Sequence, residues 1–91
     1  MTETPFKGED YRRMILANMR PNVWYESKQI IQMIEELGVL RDVDRERAGE
    51  FVNHMYKRRI RNSLERLKNS GTLTTKNFPG SKRKLLYSLQ E

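Results

Sequence analysis

The sequence predicts an α+β domain, mostly helical, on three observations. Apolar residues recur at helical spacing in separate stretches between Glu9 and Asn69. A Pro79-Gly80 dipeptide between two alternating segments marks a hairpin near the C-terminus. The 91 residues are 36% hydrophobic and 33% charged, enough for one small core and not for two.

Residues 1–8 are polar, carry Pro5 and Gly8, and read as a flexible arm; the domain proper is expected over 9–91. The first helix is expected over Glu9 to Met19. Tyr11, Met14, Ile15 and Asn18/Met19 follow its buried stripe, and Glu9 and Asp10 favour the positive end of its dipole. Pro21 ends it by disfavouring helical geometry at Arg20. Val23-Trp24-Tyr25 is a short extended piece, and Trp24 reads as core rather than as a base-stacking platform.

The second helix is expected over Ser27 to Leu37. Glu26 and Gln29 have capping-box spacing, Ile30, Ile34 and Leu37 form the buried stripe, and Gly38 suits the left-handed position after the end.

Residues 43–70 contain no proline, and Gly49 alone interrupts them, but their apolar phase shifts. With Lys57 at 0° and a turn of about 100° per residue, Ala48, Phe51, Val52 and Met55 cluster near roughly 120–220°. Tyr56, Ile60, Leu64 and Leu67 cluster near roughly 260–340°. One straight helix cannot bury both stripes on one core. Two helices are therefore expected, 44–53 and 56–69, with a break near His54. The alternative is a continuous helix whose first half packs on a second partner. Asn69-Ser70-Gly71 stops the last helix. Strands follow at Leu73 to Lys76 and Lys84 to Leu89, with Leu85, Tyr87 and Leu89 alternating onto one face.

Charge is divided unevenly. The net charge is +6, but Met55 to Glu91 holds ten Lys/Arg and two acids, whereas Met1 to His54 holds eight and ten. The second half, at +8 against −2, presents positive potential to an anionic partner.

The segment YRRMILANMRPNVWYESKQIIQMIEELGVL resembles the opening of the winged helix-turn-helix family, where a short aromatic strand leads into a capped second helix. IRNSLERLKNSGTLTTKNFPGSKRKLLYSL resembles its close, a recognition helix followed by a wing hairpin. The resemblance covers about Glu9 to Leu89 and departs from the family in one place: residues 38–55 stand where a compact member has a short turn. It implies a winged helix-turn-helix with an extra helix inserted before the recognition helix and a C-terminal β-hairpin wing. It also implies double-stranded DNA as partner, with helix 56–69 in the major groove and hairpin 73–89 along the backbone or minor groove.

The helix phase places Arg58, Arg61, Asn62, Glu65 and Asn69 outward, opposite the apolar stripe. Arg pairs with guanine and Asn with adenine, so Arg58, Arg61 and Asn62 are the expected base contacts. Lys57, Arg59, Arg66 and Lys68 flank them as phosphate contacts, joined by Ser27 and Lys28 at the start of the second helix. Lys76, Lys82, Arg83 and Lys84 are the expected wing cations, with Phe78 expected to fold back onto the core. The plainer reading of all these cations is a solvated charged surface.

A small transcriptional regulator is the leading expectation, and a protein-interaction module docking an acidic partner through Val39, Leu40 and Phe51 is its rival. A homodimer through the 39–55 insertion is also expected. His54 is the sole histidine and cysteine is absent, so no nucleophile–base pair or thiolate–zinc set is evident. We expect no catalysis, metal, cofactor or small-molecule substrate. No apolar run approaches the roughly 20 residues of a membrane span, and an intracellular, cytoplasmic protein is expected.

Overall fold

The computed structural model describes residues 6–44, 55–81 and 83–90. Among them the chain forms a small α+β domain of three helices and a three-stranded antiparallel sheet. In chain order these are α1 (Gly8–Asn18), β1 (Tyr25–Glu26), α2 (Ser27–Glu36), α3 (Met55–Asn69), β2 (Thr74–Asn77) and β3 (Leu85–Ser88). The expected element over 44–53, the break at His54, and Phe51 and Lys82 lie outside the described residues, Asp44 excepted.

Each helix buries the stripe its spacing predicts, with one exception. Tyr11, Ile15 and Met19 of the α1 region, Ile30, Ile31 and Ile34 of α2, and Tyr56, Ile60, Leu64 and Leu67 of α3 form one core. Leu73 and Tyr87 complete it. Leu37 is the exception at 41% exposed. Helix α2 ends at Glu36, Leu37 keeps helical dihedrals as its C-cap, and Gly38 at φ 69° turns the chain after it, so Leu37 is left at the exposed end of the stripe.

Local caps carry the boundaries. Gln29 Oε1 accepts the Glu26 N–H at 2.7 Å, so the capping residue expected from sequence is present. Asp10 accepts the Lys7 N–H at 2.8 Å in the same way at the start of α1. At the end of α3, Gly71 has φ 81°, and the Thr72 N–H reaches back to the Leu67 carbonyl at 3.0 Å. Pro79 and Gly80 (φ 81°) occupy the central positions of a type II turn closed by Ser81 N–H to the Phe78 carbonyl at 3.0 Å.

The sheet order is β1-β3-β2, so the last strand inserts between the first two. Tyr25, Tyr87 and Thr75 share one cross-strand row, and Glu26, Leu86 and Lys76 share the next. Tyr87 is in the core, and Tyr25, Leu85 and Leu89 pack against it, so this row and its period-two partners face inward. Trp24 precedes Tyr25 by one residue and belongs to the opposite face. The core role expected of Trp24 is therefore corrected: it is half-buried, with the Lys76 ammonium 4.4 Å from its ring centroid. Phe78 is also not in the core; it is half-buried at the hairpin, with the Lys84 ammonium 5.9 Å away.

Asp44 is the residue on which the non-local order turns. It is 1% exposed. Its carboxylate accepts the Phe6 N–H at 2.7 Å, and the Arg41 N–H and Nε–H at 3.1 and 3.2 Å. Its carbonyl accepts the Tyr56 N–H at 3.1 Å. One side chain and one carbonyl thus join the N-terminal segment, the connector after α2 and the start of α3. Phe6 belongs to a docked segment rather than to the flexible arm expected there. Its ring meets Tyr11 edge-on at 5.9 Å and carries the Arg41 guanidinium 4.4 Å above it.

Candidate nucleic-acid interface

Helix α3 presents two chemically distinct sides. Tyr56, Ile60, Ser63, Leu64 and Leu67 are buried, while Arg58, Arg61, Asn62, Glu65, Arg66 and Asn69 are exposed. The exposed set contains all three residues expected at base edges, on a helix whose other side is sealed into the core. Two tertiary bonds fix its rotation. The Tyr56 hydroxyl donates to Glu35 Oε2 of α2 at 2.7 Å. The Ser63 hydroxyl donates to the Arg59 carbonyl at 2.8 Å and lies 3.2 Å from the Gly8 carbonyl of α1.

Residues distant in sequence meet around this helix. The N-terminus of α2 and the return strand border a cleft of about 240 Å³, lined by Glu26, Ser27, Lys28, Arg83, Lys84, Leu85 and Tyr87.

 Ser27 and Lys28 are thereby brought beside Arg83 and Lys84, although more than half the chain separates the two pairs in sequence. On the other side of α2, Lys57 and Arg61 of α3 face Lys28, Gln29 and Gln32 across a second cleft. Lys28 therefore belongs to both.

Not every expected cation is equally placed. Arg59 gives one N–H to the Phe6 carbonyl, which turns it toward the N-terminal segment. Lys68 pairs with Glu65 at 3.5 Å, one turn along the helix. Lys28, three-quarters exposed, lies 3.7 Å from Glu26. Both pairs are open to solvent on at least one side and of small energetic weight. Lys76 lies over Trp24 rather than at the hairpin tip. Of the rival contact residues, Val39 is exposed at 42%, but Leu40 packs against the core.

The sequence reading missed Arg12. It stands on α1, one turn after Gly8, and meets Arg59, Asn62 and Arg66 of α3 across a third cleft. Its position four residues after Gly8 was a usable signal only once α1 was known to cross α3.

Two tyrosines have displaced ionisation. Burial pushes the Tyr11 phenol above its ordinary 10.0, and the Asp44 carboxylate adds to the shift. Burial also raises Tyr87, with Glu65 contributing. Among the described residues, no group of three or more His, Asp or Glu could hold a metal ion, and no helix is long and apolar enough to cross a membrane. No family model, curated protein or solved structure matches the chain.

Proposed function

We propose that the protein is a winged helix-turn-helix DNA-binding protein, a small transcriptional regulator rather than an enzyme. Helix α3 enters the major groove, and the β2–β3 hairpin lies along the backbone or minor groove. The observation that carries this reading is the cleft where Ser27 and Lys28 at the α2 N-terminus meet Arg83 and Lys84 of the hairpin. A helix N-terminus and converging cations suit a backbone phosphate. They stand beside a helix whose exposed face carries Arg58, Arg61 and Asn62. The element order and the β1-β3-β2 sheet further support the winged-helix reading.

Phosphate contacts set affinity and base contacts set specificity. Selection from a random duplex pool at two salt concentrations tests both. Affinity should fall by about 0.9 log unit per neutralised phosphate for each log unit of salt. Arg61→Ala should lose about 1–3 kcal/mol at preferred sites and discriminate less between them. Lys84→Ala should weaken all sites alike and lower the salt slope by about one. A flat salt dependence would sink the reading.

Leu37 and Val39, both exposed and two residues apart, favour a second reading. In it this edge docks a protein, either an acidic partner or a second copy of the chain. Pairing through residues 39–55 is compatible with DNA binding, since dimers match two half-sites. A purified protein that ignores duplex at low salt but binds an acidic protein would favour the adaptor alone.

A further inference from the structure

We propose that the cleft between the first turn of α1 and the middle of α3 is a seat for a phosphate group. Gly8 and Arg12 line it from α1, and Arg59, Asn62, Ser63 and Arg66 line it from α3. Its volume is about 220 Å³. That is several times the roughly 30 Å³ share of one water, enough for a phosphate group.

Three guanidinium groups converge here, and no carboxylate is in the lining. The ion pairs among the described residues engage Lys28, Arg41 and Lys68, and none of these three arginines. Glu9 and Asp10 lie in the first turn of α1 but outside the lining, and Asp10 accepts the Lys7 N–H. Like charges held together without a counter-charge repel, and an oxyanion relieves that repulsion. The planar guanidinium fork matches two phosphate oxygens at once, which a lysine does not.

The surrounding geometry keeps the seat open. Arg59 is oriented by its bond to the Phe6 carbonyl, and its remaining N–H groups are available for further bonds. A side chain at Gly8 would place its Cβ 3.2 Å from Arg12 Nη1 and 3.9 Å from Ser63 Oγ. Glycine there leaves room for the Arg12 head group beside the helix. Asn62 adds a neutral amide donor at the rim. The seat lies on the α1 flank of α3, whereas Lys28, Arg83 and Lys84 lie on the α2 side; it shares Arg59, Asn62 and Arg66 with the proposed DNA contacts, and the phosphate titration tests it without duplex.

The oxyanion has two possible sources, a phosphate of a duplex backbone and a free phosphate ester. The test titrates the full chain with sodium phosphate against sodium chloride at matched ionic strength, following the arginine side-chain N–H signals by NMR. Saturating shifts at Arg12, Arg59 and Arg66, with Arg13 unmoved, are expected. Arg12→Gln and Arg66→Gln should each weaken phosphate binding by about tenfold, the scale of one charge-assisted contact. Arg13→Gln should leave it unchanged. Shifts that are absent, or spread equally over Arg13, overturn the proposal.

Duplex binding by the same variants identifies the source. If the backbone supplies the phosphate, free phosphate competes with duplex and Arg12→Gln lowers the salt slope by about one. If a free ester supplies it, Arg12→Gln loses the phosphate shifts and keeps its duplex affinity. Failure of all duplex binding would remove the DNA reading while the phosphate titration still decides the seat.

Discussion

At its N-terminal end α3 is anchored to other segments of the chain, whereas at its C-terminal end it is stopped by its own backbone. Around Tyr56 the fastenings are the Asp44 carbonyl, the Glu35 carboxylate and the Arg59 bond to Phe6. Around Asn69 they are Gly71 in the left-handed region and N–H groups returning to Leu67 and Lys68. The first end depends on parts of the chain far apart in sequence, and the second on a few neighbours. A substitution at the first end should therefore loosen several segments together, and one at the second should remain local.

The largest effect is expected from Asp44→Ala. It strands the Phe6 and Arg41 N–H groups beside a buried gap, and should cost about 3 kcal/mol. Arg41 is one-third exposed and can rehydrate its guanidinium, so the loss arises mainly from the backbone donors. Urea denaturation gives the magnitude, and amide exchange tests the coupling. Faster exchange at both Phe6 and Tyr56 is expected. A loss confined to Phe6 would show that the two ends of the chain are not joined through this residue.

Gly71→Ala comes next, at about 1–2 kcal/mol, because φ 81° is a left-handed conformation that costs an L side chain this much. Nothing lies within 4 Å of the added Cβ, so the cost is backbone strain alone. Exchange at Phe6 should be unaffected short of global unfolding. If Gly71→Ala loosened Phe6 selectively, the contrast between the ends would fail.

These two residues also divide what sequence could reveal. Gly71, Gly38, the Glu26–Gln29 pair and the apolar stripe of α3 act through neighbours within one or two turns, so spacing exposes them. The outward placement of Arg58, Arg61 and Asn62 follows from the same period. Asp44 looks like any polar residue in a connector, and its burial depends on Phe6, Arg41 and Tyr56 arriving from three directions. Arg12 was hidden for the same reason, since its neighbours are on α3. Trp24 was misread because the period-two alternation of β1 needs the pairing of Tyr25 with Tyr87 to set its phase.

Tyr11 sharpens the account of the N-terminal end on a smaller scale. Its hydroxyl is buried and has no hydrogen-bond partner among the described residues. Tyr11→Phe removes a desolvated polar group and should stabilise the fold by about 1 kcal/mol. Its folded pKa lies above the unfolded 10.0, so the neutral phenol's contribution is complete below pH 10.0 and is lost as pH rises through the folded value. Thermal melts should show stability falling above pH 10.0, with Tyr87 contributing in the same direction. Tyr11→Phe should make that decline shallower. An unchanged alkaline limb would assign it to Tyr87 and other groups.

The smallest effect on the fold is expected from replacing residues 45–54 with a short Gly-Ser linker. Asp44 and Tyr56 meet at 3.1 Å between carbonyl and N–H, so the chain departs and returns at one place. A few residues can bridge such a gap, and closure entropy changes only slowly with loop length. Stability should therefore change by less than about 1 kcal/mol, provided Asp44 keeps its bonds. Under the proposed pairing through 39–55, the shortened chain should sediment as a monomer while keeping the salt-dependent duplex contacts of α3 and the hairpin. A chain that no longer folds would show that the N-terminal end of α3 requires residues 45–54 as well as Asp44.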